Sequence, residues 1–202
     1  MNIIKDFLMN VCLLLGIAVI IAAMPTERES AIYGDTVRLH ILASSDSEED
    51  QGIKYEIRDL ILKKYGERLS HFTSKDEAES ELISLTENIQ TDVKTWLTDL
   101  GEEYGCSVEI GTEWYDTRSY EGFTLPKGYY TSLRVILGEG DGQNWWCVMY
   151  PPLCLDIATE DAPPDDALIN YTKEECALIT AGEYNVKFKI LEVFSEAFSK
   201  KG

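Results

Sequence analysis

Ser74-Lys-Asp-Glu77 opens the longest periodic stretch of the chain, and that stretch limits the folds available to it. Serine three residues ahead of glutamate has the spacing of a capping box, in which each side chain satisfies a backbone N–H left over in the first helical turn. From there Ala78, Leu82, Leu85, Ile89, Val93, Trp96, Leu97 and Leu100 recur at intervals of three and four. That spacing predicts a helix with one apolar face. Gly101 follows where a helix stop favours glycine.

A second helix precedes it. In Ser44-Ser-Asp-Ser-Glu-Glu-Asp50, either Asp46 with Glu49 or Ser47 with Asp50 has capping spacing, and the acidic turn complements the helix dipole. This helix is expected to run to about Leu69 with Ile53, Ile57, Leu60, Ile61 and Tyr65 on one face. Only a few residues join the two, so they are expected to pack as an antiparallel hairpin.

Strands surround the hairpin. Thr36–Ala43 alternates Val37, Leu39 and Ile41 with Arg38, His40 and Leu42, the pattern of a strand with one face buried. Cys106–Tyr115, Tyr130–Leu137 and Asn144–Met149 read as three more, the last two joined by a Gly138–Gly142 turn. Asp116–Gly128 is an irregular segment that pairs at most in part. Residues 156–171, with Asp161-Ala-Pro-Pro-Asp-Asp166, form an acidic surface loop. A short strand near Tyr184–Lys187 and a closing helix bearing Ile190, Leu191, Phe194 and Phe198 finish the chain. The expected class is α+β: a mostly antiparallel sheet with a long helix hairpin and a C-terminal helix.

Phe7–Met24 is apolar except for Asn10 and Gly16, just long enough to cross a bilayer and long for a cleaved signal. Lys5 is offset by Asp6, and a cut after Ala23 would place bulky Ile21 at the third position back. Residues 1–24 therefore read as a signal peptide or signal anchor, 25–35 as a polar linker and 36–202 as one extracytoplasmic domain. A buried core helix is the weaker reading of 1–24, because no polar face marks it. The net charge of −18 falls on the exported part and disfavours nucleic acid and anionic lipid as partners.

Gly138-Glu-Gly-Asp-Gly-Gln-Asn-Trp-Trp-Cys-Val-Met-Tyr-Pro-Pro-Leu-Cys154 is the most unusual stretch. In a strand Trp145 and Trp146 point to opposite faces, so one is expected in the core and the other displayed as an aromatic anchor. Cys147 and Cys154 are spaced to close a small disulfide loop, leaving Cys106 for Cys176; buried thiols are the alternative. Zinc is disfavoured, because no CxxC occurs and His40 and His71 lie in other elements. A Cys147 nucleophile with His40 as base is the enzymatic alternative, a wall hydrolase or peptidase. It lacks an evident orienting residue, and a disulfide would silence it. Gly138-x-Gly-x-Gly142 precedes a strand, not a helix, so it is no phosphate loop. No catalytic residue, cofactor or small-molecule substrate is expected. Around Arg38–Asp59, Arg38 and His40 leave one strand face while Asp50, Lys54 and Arg58 step along a helix, which suggests a charged docking face.

Val37-Arg-Leu-His-Ile-Leu-Ala-Ser-Ser-Asp-Ser-Glu-Glu-Asp-Gln51, continuing through Lys54 and Ile57-Arg-Asp59, resembles the first signature of the stage II sporulation protein R family. Thr124-Leu-Pro-x-Gly-x-Tyr130, Leu133-Arg-Val135 and Gly138 to Cys154 resemble its second. The resemblance spans about residues 33–200; Ser44 stands where the family usually has Asn. It implies a signalling protein exported from the forespore of an endospore-forming bacterium, acting between forespore and mother cell. There it would trigger a membrane-embedded aspartic protease that matures a mother-cell sigma factor. On this reading Trp145 or Trp146 is the anchor and Gln143 and Asn144 are polar contacts. Arg38, His40, Asp46, Asp50, Gln51 and Arg58 form the second binding face.

Overall fold

A computed structural model of the chain describes residues 2–24, 27–120, 122–153 and 170–180. Cys154, most of the acidic loop, and the strand and helix expected after Tyr184 lie outside the described residues. Helix α1 (Asn2–Ala23) covers the apolar run. Phe7, Leu13 and Val19, spaced about 120° apart around it, all stand exposed, so it is not a core helix. Among the described residues no helix is long and apolar enough to cross a membrane.

The stretch expected as a polar linker is largely helical, as α2 (Glu27–Gly34). Ile32 is fully buried and ties this helix to the core. Tyr33 donates to the Lys127 carbonyl at 2.7 Å, and its ring lies against Gly128, where a Cβ would come within 2.5 Å of it.

Strand β1 (Val37–Leu42) leads into α3 (Glu48–Ile61), where Ser47 accepts from the Asp50 N–H at 3.1 Å. The expected continuous helix then widens into a π-helical stretch, Leu62–Gly66, before α4 (Glu67–Leu69). The Tyr65 hydroxyl donates from that stretch to Asp92 of α5 (Lys75–Asp99), which Lys64 also meets. Arg68 pairs with Glu81. Ser74 caps α5 as expected, but the Glu77 carboxylate reaches back to the Thr73 N–H at 3.2 Å instead of to Ser74. At the other end Gly101 takes φ +92°, Glu102 N–H bonds the Leu97 carbonyl at 2.9 Å and Gly101 N–H that of Thr98 at 3.1 Å. This pair of bonds is a Schellman stop.

Strands β2 (Cys106–Tyr115), β5 (Gly128–Leu137) and β6 (Asn144–Tyr150) join β1 in one sheet, ordered β2-β5-β1-β6. The sheet is mixed: β1 and β5 are parallel, the other two pairings antiparallel. The Gly138–Gly142 turn is therefore not a hairpin. It carries the chain from β5 across the end of β1, which lies between them. Between β2 and β5, β3 (Arg118–Tyr120) and β4 (Phe123–Leu125) pair as a small hairpin within the segment expected to be irregular. Helix α6 (Lys173–Ile179), which periodicity does not announce, starts at a reciprocal Thr172–Glu175 capping box.

Leu39, Ile41, Leu133 and Val135 on one sheet face form a single buried cluster with Ile57, Ile61, Leu82, Ile89 and Val93 of α3 and α5. Each such side chain contributes about 1.5–3 kcal/mol by leaving water. The opposite face is built of polar and aromatic groups.

Candidate partner interface

The pleat of β1 puts Arg38 and His40 on the face away from α3 and α5. That face is covered, and every residue from Val37 to Ile41 is buried. Arg38 is 0 % exposed. Its guanidinium lies over the rings of Tyr115, Tyr130 and Tyr120 at 4.3, 5.1 and 5.7 Å. Nη2 donates to the Tyr120 hydroxyl at 2.6 Å and Nε to the Cys147 carbonyl at 3.2 Å, while Nη1 has no acceptor. Among the described residues no carboxylate pairs with it. Burial raises the pKa of all three tyrosines, so their rings stay neutral beside the cation. Arg38 is thus an interior group and not part of an exposed docking face.

His40 is buried beside it. Its Nδ1 meets the two Glu113 oxygens at 3.1 and 3.2 Å, and Nε2 lies 2.8 Å from Asn144 Oδ1. The imidazole stacks on Trp146 with centroids 5.4 Å apart. Burial alone would raise the Glu113 carboxyl. Hydrogen bonds from His40 and Ser132, with the charges of His40 and Arg134, outweigh it and hold the group below its usual range.

The Cys147–His40 pair is not assembled. In the β1–β6 register Cys147 is opposite Leu39 while His40 is opposite Trp146, so the two side chains stand on opposite sheet faces. Cys147 is fully buried and disulfide-bonded. Cys106 and Cys176 remain thiols, so the bridge expected between them is not formed. Among the described residues no cluster of His, Cys, Asp and Glu is arranged to hold a metal.

The expected charge ladder on α3 is mostly consumed internally. Asp50 accepts from the Ser45 hydroxyl and, at 2.9 Å, from that of Tyr104. Gln51 donates to the Ser45 carbonyl at 2.8 Å. Lys54, 1 % exposed, donates to Gln51 Oε1 and to the Gln143 carbonyl at 3.1 Å. Asp50, Gln51 and Lys54 therefore fasten the glycine loop and the β1–α3 junction to each other. Arg58 meets Asp59 at 2.7 Å and lies 5.1 Å from the Trp145 ring. Asp46, Gln143 and Asn144 remain exposed.

Trp145 and Trp146 do point to opposite faces, yet neither is in the core and neither is displayed. Both are half-buried, because β6 is an edge strand whose two sides are capped by Arg58 and by Arg118 respectively. The Arg118 guanidinium sits 3.5 Å from the Trp146 ring centroid. Two aromatics of the sheet are displayed instead, Trp114 and Tyr129, 52 % and 63 % exposed and opposite each other in β2 and β5. Their rings meet edge to face at 5.1 Å. Sequence reading missed them because Trp114 continues the row of Val108 and Ile110. Thr131 still reaches Glu79 of α5 at 3.3 Å, but the pair lies two residues further along the strands.

The sequence model of the family described as stage II sporulation protein R matches residues 34–160. The chain belongs to the stage II sporulation protein R family. Stage II sporulation protein R of Bacillus subtilis (strain 168) is 35 % identical over 151 residues, covering 74 % of this chain and 67 % of that protein. No solved structure matches. The stage II sporulation protein R match runs from β1 through β6 and so contains the Arg38 cage, the His40 cluster and the glycine loop; α1 and α6 lie outside it.

The junction gives this family member an expected acid response. The Ser45 hydrogen bond, chiefly, and that of Tyr104 hold the Asp50 carboxyl below its ordinary range against the effect of burial. A depressed folded pKa stabilises above the unfolded value, about pH 4, and that stabilisation is lost as pH falls through the folded value. Asp50→Asn should therefore narrow the gap between urea midpoints at neutral pH and at about pH 3. An unchanged gap would remove Asp50 from the acid response.

Proposed function

We propose that this chain is an exported signal that activates a membrane-embedded aspartic protease. Activation would start maturation of a mother-cell sigma factor during endospore formation. It is exported from the forespore and acts in the space between the two cells. Family membership supports this reading. The observation that carries a binding role in place of a hydrolytic one is the exposed Trp114–Tyr129 pair, set on a sheet whose His40 and Cys147 face opposite ways. Exposed aromatics that are already packed on one another offer large contact area at little entropic cost, the character of interface hot spots.

A trigger works only by binding the active protease more tightly than the resting one. Raising an active fraction from 1 % to 99 % takes about 5.5 kcal/mol of differential affinity. Two aromatic anchors and a few desolvated charges supply energy of that order.

The test is co-expression of sigma precursor, protease and this chain in a non-sporulating host. Processing should require this chain. Trp114→Ala and Tyr129→Ala should each cut processing at least about tenfold with the melting temperature held. No processing with all three wild-type proteins present would sink the assignment. Full processing by both variants would move the anchor elsewhere.

A further inference from the structure

Acidic groups dominate this molecule, yet the sheet face opposite α3 and α5 holds two arginines, Arg38 and Arg118, that no acid among the described residues neutralises. Arg38 has no carboxylate partner among the described residues, and neither has Arg118. The acids on that face are already engaged: Glu113 by His40 and Arg134, and Glu109 by Arg134 Nη1 at 2.6 Å. Arg118 differs from Arg38 in being only half-buried, so its N–H groups remain open to a ligand. It is also held in place. Its guanidinium lies flat against Trp146, whose other neighbour is the stacked His40 ring. A guanidinium fixed on an aromatic face loses little freedom on forming the two parallel N–H···O bonds that a carboxylate accepts.

The geometry points to Arg118, seated on Trp146, as the receiver of a carboxylate side chain from an extended acidic segment of the partner protein. This deepens the reading of the chain as a partner-binding signal and rests on it. Charge complementarity selects the occupant. A formal charge of −18 repels an acidic segment from most of the surface, so the uncompensated cationic face is where such a segment can settle. Asn144, exposed beside His40 on the same face, offers an amide N–H2 while its Oδ1 meets the ring. Repulsion elsewhere fixes the docking register, and Arg118 with Trp146 supplies the contact.

The probe is hexaglutamate, with hexaglutamine as the uncharged control, titrated calorimetrically into the full-length chain in neutral detergent micelles without protease. A strongly acidic protein should reject a polyanion by default, which makes binding diagnostic. Hexaglutamate should bind at least about tenfold tighter than hexaglutamine, and the preference should shrink as salt rises from about 0.05 to 0.5 M. Arg118→Glu should abolish the preference. Arg118→Gln, which keeps hydrogen-bonding capacity and so guards against misfolding, should reduce it at least about tenfold. Equal binding of both peptides, hexaglutamate binding untouched in Arg118→Gln, or capture of phosphatidylglycerol vesicles in place of the peptide would each overturn the proposal. Because no protease is present, failure here is separable from failure of the processing assay.

Discussion

Replacing Arg38 by alanine should lower the unfolding free energy by about 3–5 kcal/mol, the range for emptying a large core site or leaving buried polar groups unpaired. Arg38 stands among the largest fully buried side chains. Its removal leaves a void walled by Tyr115, Tyr120 and Tyr130, and strips a donor from the Tyr120 hydroxyl and the Cys147 carbonyl. The buried charge acts in the other direction, since a cation without a carboxylate is costly to desolvate. Three ring faces and two hydrogen bonds offset that cost. Arg38→Lys separates charge from shape: an ammonium cannot present a flat fork to three rings, so it should still lose about 2 kcal/mol. Urea denaturation measures both. A loss under about 1 kcal/mol for the alanine variant would show that the cage contributes nothing net.

Gly142→Ala should cost about 2–4 kcal/mol through steric conflict alone. A Cβ there would lie 2.2 Å from the Ser45 carbonyl oxygen and 2.9 Å from Ala43 Cβ. The nearest obstacle is backbone, so it cannot rotate aside. Movement would also break the Gly142 N–H bond to the Ala43 carbonyl, 3.0 Å long, which seats the loop on the end of β1. Gly52→Ala is the control. That glycine lies inside α3 with nothing within 4 Å of an added Cβ, so alanine should stabilise by about 0.5–1 kcal/mol through helix propensity. One substitution type thus gives opposite signs at two sites. A Gly142→Ala protein as stable as wild type would mean that the loop is not closely packed on β1.

Local signals made α5 legible: Ser74 at its start, apolar residues at intervals of three and four, and Gly101 at its stop. The strand extents were legible for similar reasons. Pairing was not, because a glycine turn between two strands looks the same whether they are neighbours or flank a third. Arg38 and His40 alternate with apolar residues and so resemble an open strand face. The tyrosines that cover Arg38 belong to β2, β3 and β5, at a sequence distance no local pattern spans. Asp50 and Lys54 looked like a surface ladder because helical spacing shows which side chains share a face and not what lies above it. The start of α6 did carry a signal, Thr172 with Glu175, but its apolar run is too short to stand out. Trp114 was hidden by regularity: it continues a buried row past the end of its cover.

The order of the sheet also dictates when it can form. β1 precedes the other strands of its sheet in the chain, yet its neighbours are β5 and β6, with Val37 opposite Thr131 and His40 opposite Trp146. Until the chain has emerged through Leu137 the central strand has nothing to pair with, and until Tyr150 its β6 side stays open. Contacts of such long sequence separation are formed late and at a high entropic cost. A nascent or shortened chain lacking β6 therefore holds β1 as an apolar strand with an open edge, prone to pair with other chains. Closure of this sheet waits for Tyr150 because one six-residue strand sits between two partners that follow it in the chain.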